Sequence, residues 1–258
     1  MMQAMIFAAG LGTRLKPLTD SIPKALVEVG GETLLQRTIE RLKACGVKSM
    51  VINVHHFAQA IVDYLQANDN FGVEIAISDE TQHLLDTGGG LKKAVHLFSS
   101  TANILIHNVD IISNVDLQVF YTHQGQSDAL LLVSQRETKR YLLFNDDMRL
   151  VGWTNVETGE VRSPYPNLNP QTCKKLAFAG IHSFSPKLFE KMEKYPDKFG
   201  IIDFYLDQCA DNYIRGYEQE GLQLLDVGKL NTLERLPKPT AGNPSVSDAD
   251  ILRHLYAQ

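Results

Sequence analysis

Short apolar runs and helical stripes alternate through the first half of the chain. Residues 5–9 (MIFAA) form a continuous apolar run that stops at a glycine, the pattern of a strand buried on both faces. Leu34, Leu35, Thr38, Ile39 and Leu42 recur at helical spacing, and Gly46 follows as a stop signal. Residues 50–54 read as a second strand, Phe57, Ile61, Val62 and Leu65 as a second helix, and residues 73–77 as a third strand. A glycine run, a short helix from about Leu91 to Phe98 and a strand at 103–109 come next. Strands separated by helices predict βαβ crossovers and a mostly parallel sheet.

The pattern changes after about Tyr141. Residues 141–144 and 149–154 flank an Asn-Asp-Asp turn and read as an antiparallel hairpin. A loop with Pro164, Pro166 and Pro170 leads to a strand at 176–184, helical patterns at 186–192 and 202–211, and a strand at 223–227. Past Pro237, Pro239 and Pro244, Ile251, Leu252 and Leu255 mark a last helix, with Ser247 or Asp248 as its cap. The expectation is an α/β fold: a Rossmann-like, mostly parallel sheet flanked by helices, with a smaller, partly antiparallel part. The predicted division is 1–140, 141–236, and a tail at 237–258.

Composition narrows the functional classes. The chain has 258 residues, 25 Lys and Arg against 30 Asp and Glu, and a formal charge of −5, which argues against a general nucleic-acid binder. Cys45, Cys173 and Cys209 are sparse and form no C-x-x-C pair, as suits a reducing compartment. No apolar run approaches the ~20 residues that span a bilayer, and the start shows no basic leader pattern. A cytoplasmic, soluble protein with neither a nucleic-acid nor a membrane partner is expected; oligomeric state is not encoded.

One segment carries specific chemistry. Residues 8–26 read AAGLGTRLKPLTDSIPKAL, directly after the first strand. Gly10 and Gly12 allow positive φ and close backbone approach, so that N–H groups can face an anion, and Ala8 and Ala9 are expected to bind the nucleotide with them. Thr13 adds a hydroxyl, and Arg14, Lys16 and Lys24 place three cations in a stretch whose only acid is Asp20. Pro17 and Pro23 stiffen the loop. Backbone donors and cations at the carboxyl end of a parallel strand describe a polyphosphate cradle. An NAD-type G-x-G-x-x-G turn is disfavoured, because Leu15 takes the third glycine position and prolines occupy the helix that should follow; a P-loop is absent.

The segment resembles the signature of the sugar-1-phosphate nucleotidyltransferases, G-x-G-[ST]-R-[LM]-x-P-L-T-x-x-x-P-K, at every specified position. The resemblance implies a magnesium-dependent enzyme joining a nucleoside triphosphate to a sugar-1-phosphate with release of pyrophosphate. Residues 1–140 would then bind nucleotide and 141–236 the acceptor. Arg14 would hold the leaving β,γ-phosphates and Lys24 would neutralise the reacting α-phosphate. Asp86-Thr-Gly-Gly-Gly90 resembles the family's base-contacting T-[AG]-G loop, which implicates Thr87, Gly88 and Gly89, with Glu80 as a further polar contact. Asp110, after Asn108 and Val109, and Asp226 in the D-V-G segment match the magnesium-binding carboxylates; Val109 stands where the family usually has Gly or Ala.

On the acceptor side no Glu-Lys-Pro motif occurs, and Ala177-Phe-Ala-Gly-Ile181 looks like the F-[AST]-G-I segment of the compact N-acetylmuramate-1-phosphate uridylyltransferases. Asn108, Lys175 and Gly180 are the expected acceptor contacts. Guanylyl transfer to mannose- or heptose-1-phosphate is the alternative within the class, and an inactive regulator that binds nucleotide sugars the alternative outside it. His55 and His56 lack a third ligand in pattern and are not expected to bind metal. Trp153 is expected to pack in the hairpin, and Asp203 to cap a helix.

Overall fold

The computed structural model describes residues 2–228, 230–240 and 244–256. Met1 and the stretches 241–243 and 257–258 of the expected tail lie outside them. In chain order the elements are β1 (Gln3–Phe7), β2 (Glu28–Val29), β3 (Glu32–Thr33), α1 (Leu34–Ala44), β4 (Ser49–Val54), α2 (Ala58–Ala67) and β5 (Glu74–Asp79). Next come α3 (Asp86–Lys93), β6 (Ile104–Asn108), β7 (Ile111–Ser113), α4 (Leu117–His123), β8 (Ala129–Ser134), β9 (Arg140–Phe144), β10 (Leu150–Asn155) and β11 (Val161–Arg162). The chain closes with β12 (Lys174–Phe184), α5 (Phe189–Met192), α6 (Ile201–Gln208), β13 (Ile214–Glu218), β14 (Leu224–Asp226), α7 (Leu230–Glu234) and α8 (Asp248–Tyr256). The class is α/β as the pattern predicts: a mostly parallel sheet flanked by helices, with a smaller antiparallel part.

Contacts gather the chain into two units that do not follow chain order. One comprises Met1–Leu84, His107–Leu117 and Leu222–Gln258, the other Leu85–Ile106 and Gln118–Gly221. The pattern placed continuous stretches at 1–140 and 141–236; the contact units differ because residues 107–117 and the C-terminal stretch pack with the first strands.

In the first unit β4 lies between β1 and β5, parallel to both. β1 is wholly buried, and Met50, Val51, Ile52 and Val54 of β4 are nearly so, which explains the unbroken apolar runs. Thr33 caps α1 by accepting the Gln36 N–H. The C-terminal segment belongs to this core. Ser247 caps α8, accepting the Asp250 N–H at 3.2 Å, and Ile251 and Leu252 are buried. The Arg37 guanidinium ties it down, donating to the carbonyls of Val29 and Val246 and to Asp248 at 2.6–2.8 Å.

In the second unit β8 pairs antiparallel with β12 and parallel with β13, while β9 joins β12 to β10 and β10 pairs with β11. β8, β13 and α4 are elements beyond those the sequence pattern predicts. β8 is the apolar run ALLLV, buried throughout, and the rule that finds β1 applies to it equally. The expected helix at 91–98 begins instead at Asp86 and closes as a 3₁₀ turn at Val95–Leu97. The glycine run is therefore the first turns of a helix rather than a loop before one.

Candidate active site

The chain leaves β1 through Ala8 and Ala9 and enters the glycine segment. Gly12 adopts φ 65° and ψ 20°, and a β-carbon there would lie 2.8 Å from a Thr19 methyl, so both backbone and space require glycine. Thr19 locks the turn by donating to the Gly12 carbonyl at 2.8 Å. Gly10, expected to share the positive φ, does not; it faces open space. The N–H groups of Ala8 and Ala9 are taken by the Asn53 side chain at 2.7 and 3.4 Å, whereas the amides of Gly10, Leu11 and Gly12 make no hydrogen bond among the described residues.

The three cations of the segment separate by partner. Lys16 pairs with Asp20 at 2.9 Å on the surface. Lys24, in the 3₁₀ turn after Pro23, places its ammonium on the Asp110 carboxylate. Arg14 is exposed, and its guanidinium lies beside Gly228.

Pairing of two short strands brings the backbones around Asp110 and Asp226 together. β7 starts directly after Asp110 and runs antiparallel to β14, with Ile111 opposite Asp226. The Val227 N–H donates to the Asp110 carbonyl at 2.8 Å. Oδ1 of Asp226 is buried and has no hydrogen-bond partner among the described residues. A β-carbon on Gly228 would lie 2.6 Å from that oxygen and 2.7 Å from an Arg14 guanidinium nitrogen. The Asp-Val-Gly segment thus puts a carboxylate and a guanidinium on either side of a residue without a side chain. Val109, the departure from the family pattern, is buried with its N–H on the Phe7 carbonyl at 3.2 Å.

A buried carboxylate oxygen without a hydrogen bond among the described residues suits a hard divalent cation. Among the described residues no cluster of three His, Cys, Asp or Glu exists. Two aspartates agree with magnesium's habit of taking one or two protein carboxylates and filling its shell with phosphate oxygens and water. His55 donates its Nδ1–H to the Glu80 carbonyl, 2.7 Å away.

Other expected contacts have their own surroundings. Glu80 is completely buried, accepting from Asn53 Nδ2 at 2.7 Å. The amides of Gly88 and Gly89 donate to the Phe199 carbonyl at 2.9 and 3.1 Å, and Thr87 Oγ1 accepts the Ile201 N–H. β-Carbons on Gly88 and Gly89 would lie 2.4 Å from the Phe199 ring and 2.0 Å from the Asp197 carbonyl oxygen. Close packing within their own unit therefore accounts for both glycines.

Asn108 ends β6, its carbonyl 2.7 Å from His107 Nδ1; burial pushes that imidazole's pKa down to about 3. Gly180, at φ 76°, sits where the β12–β8 register shifts between Phe178 and His182, a bulge that calls for glycine. Lys175 donates to Gln171 at 3.2 Å. The Trp153 ring lies under the Arg162 guanidinium, which pairs with Asp203 at 2.7 Å, so Asp203 is an ion-pair partner in the first turn of α6 rather than its cap. The sequence reading does not single out Asn53; an asparagine near the end of an otherwise apolar strand is the signal that points to it.

The model of the Nucleotidyl transferase family matches residues 3–236. The chain belongs to that family. Among its relatives, the N-acetylmuramate alpha-1-phosphate uridylyltransferase of Caulobacter vibrioides is 32% identical over 231 residues, covering 85% of this chain and 89% of that protein. A mannose-1-phosphate guanyltransferase of Gibberella zeae is 27% identical over 233 residues, 88% of this chain but 61% of its own length. The crystal structure of HddC from Yersinia pseudotuberculosis complexed with GMP-PN superposes with a TM-score of 0.69 at 22% identity, covering 88% and 94% of the two chains. That likeness concerns the fold. The chain is thus a sugar-1-phosphate nucleotidyltransferase, and its first unit sets Lys24 on Asp110 and places Arg14 and Asp226 beside Gly228.

Proposed function

We propose that this nucleotidyltransferase joins UTP to N-acetylmuramate-1-phosphate, with Mg²⁺ as its cofactor, giving the UDP-sugar and pyrophosphate. The similarity to the Caulobacter vibrioides enzyme, over most of both chains, carries the choice of substrates. The sugar phosphate is an anion at neutral pH and attacks the α-phosphate in line, so no general base is needed. Catalysis reduces to positioning and charge neutralisation.

Asp110 and Asp226 would hold the metal, whose bound form offsets charge on the triphosphate. Lys24 neutralises charge at the α-phosphate, and Arg14 draws the β,γ-phosphates away as pyrophosphate. The amides of Gly10 to Gly12 and the Thr13 hydroxyl donate to phosphate oxygens. Thr87, Gly88 and Gly89 meet the base, and Asn108, Lys175 and Gly180 meet the acceptor. The reaction consumes two small, highly charged metabolites, which fits a cytoplasmic enzyme of nucleotide-sugar metabolism and cell-wall recycling.

Product identification tests the reading. The protein is incubated with Mg²⁺, an equimolar mixture of UTP, GTP, CTP and dTTP, and a panel of sugar-1-phosphates, and the nucleotide sugars are weighed by mass spectrometry. UDP-N-acetylmuramate as the dominant product supports the proposal. A GDP-sugar from mannose- or heptose-1-phosphate contradicts the substrates and keeps the chemistry.

A further inference from the structure

Asn53 is the last residue but one of β4, the strand flanked by β1 and β5, with Phe7 and Ser78 as its register partners. The other inner residues of this strand are apolar, and Asn53 itself is only 2% exposed. A buried amide is tolerated where its donors and acceptor are matched. Oδ1 accepts the N–H groups of Ala8 and Ala9, and Nδ2 donates to Oε1 of Glu80 at 2.7 Å. Reversing the amide would set an NH₂ group against two N–H donors and a carbonyl against a carboxylate, so only one orientation fits.

Glu80 follows β5 and is anchored by its main chain. Its N–H donates to the Val54 carbonyl at 2.7 Å, and its carbonyl meets His55 Nδ1. One chain of hydrogen bonds therefore runs from Ala8 and Ala9 through Asn53 to Glu80, across the carboxyl ends of three adjacent parallel strands. That is the edge at which α/β sheets bind ligands.

We infer that Asn53 is a positioning residue for the nucleoside triphosphate, held in register by Glu80, and that neither side chain touches the ligand. Asn53 takes the first two amides after β1 and leaves the amides of Gly10, Leu11 and Gly12 as the donors that meet phosphate. It thereby sets where the phosphate-facing part of the segment begins. Glu80 acts through Asn53.

The test uses the full-length protein with Mg²⁺, N-acetylmuramate-1-phosphate or mannose-1-phosphate, and UTP or GTP, whichever pair the wild type couples. Separate KM values are measured for the nucleotide and the sugar phosphate. Asn53→Asp keeps the acceptor for Ala8 and Ala9 but faces Glu80 with a second carboxylate. It is expected to raise the nucleotide KM about 10-fold or more, the equivalent of one misplaced buried hydrogen bond, and to leave the sugar-phosphate KM within about two-fold. Asn53→Asp combined with Glu80→Gln restores a donor facing an acceptor, and is expected to return the nucleotide KM to near the wild-type value. A nucleotide KM unchanged in the single variant, equal changes in both KM values, or a folded double variant without recovery overturns the inference. Failure of both variants to fold makes the bonds a folding requirement and overturns it as well. The substrate proposal fails separately, on a wild type that makes no UDP-N-acetylmuramate.

Discussion

The ammonium of Lys24 rests on the carboxylate of Asp110, with the two side chains only 11% and 16% exposed. The lysine stands 86 positions from its partner, and the pairing joins the glycine segment to the start of β7. A pair this sheltered is screened less than a surface one, and losing one member leaves the other charge uncompensated.

Lys24→Met is therefore expected to lower kcat by about 10²–10³-fold, the range for removal of one group that stabilises transition-state charge. Steady-state pyrophosphate release at saturating substrates measures it. A loss confined to KM would move Lys24 from the reacting phosphate to simple binding.

Gly228 separates Asp226 from Arg14, and a methyl group there meets both within 2.7 Å. Gly228→Ala is expected to abolish most activity while the melting temperature stays near that of the wild type, because Arg14 is exposed and swings aside. Parallel activity and thermal-melting measurements check this. Full activity in the alanine variant would contradict the placement of Arg14.

Gly88 and Gly89 invite the opposite result. Their missing β-carbons would overlap Phe199 and the Asp197 carbonyl. Gly89→Ala is expected to cost about 1–3 kcal/mol of stability through overpacking, read as a lower denaturation midpoint at an unchanged m-value.

Two buried histidines set an acid limit. Burial holds His107 and His182 neutral, with pKa values pushed down from 6.5 to about 3. Between those values the unfolded chain binds more protons than the native one, so stability is present above about pH 6.5 and falls with pH below it. The slope is about 1.4 kcal/mol per pH unit for each histidine. Thermal melts between pH 8 and pH 5 should show a flat region and then a decline beginning near pH 6.5. No decline above pH 5 would contradict the burial of these rings.

The alternating pattern revealed the α/β class and most strands of the first unit because parallel strands buried on both faces read as unbroken apolar runs. The same signal is present in β8, whose run ALLLV is buried throughout. Helix α3 was misplaced for a different reason. Glycines lower helix propensity, but close packing of Gly88 and Gly89 against Phe199 and Asp197 outweighs that cost. The cations and carboxylates of the candidate site were legible because their chemistry needs particular side chains. Asn53 was not, because its role depends on three strand ends that only the sheet brings together.

Asp226→Ala, assayed beside the wild type for Mg²⁺-dependent pyrophosphate release from UTP and N-acetylmuramate-1-phosphate, tests the role of this carboxylate. The wild type is expected to release pyrophosphate rapidly and the variant at least about 100-fold less, with the melting temperature unchanged or raised because a buried oxygen without a partner among the described residues is removed. Equal release by the two proteins would contradict the assignment of this carboxylate to the reacting centre.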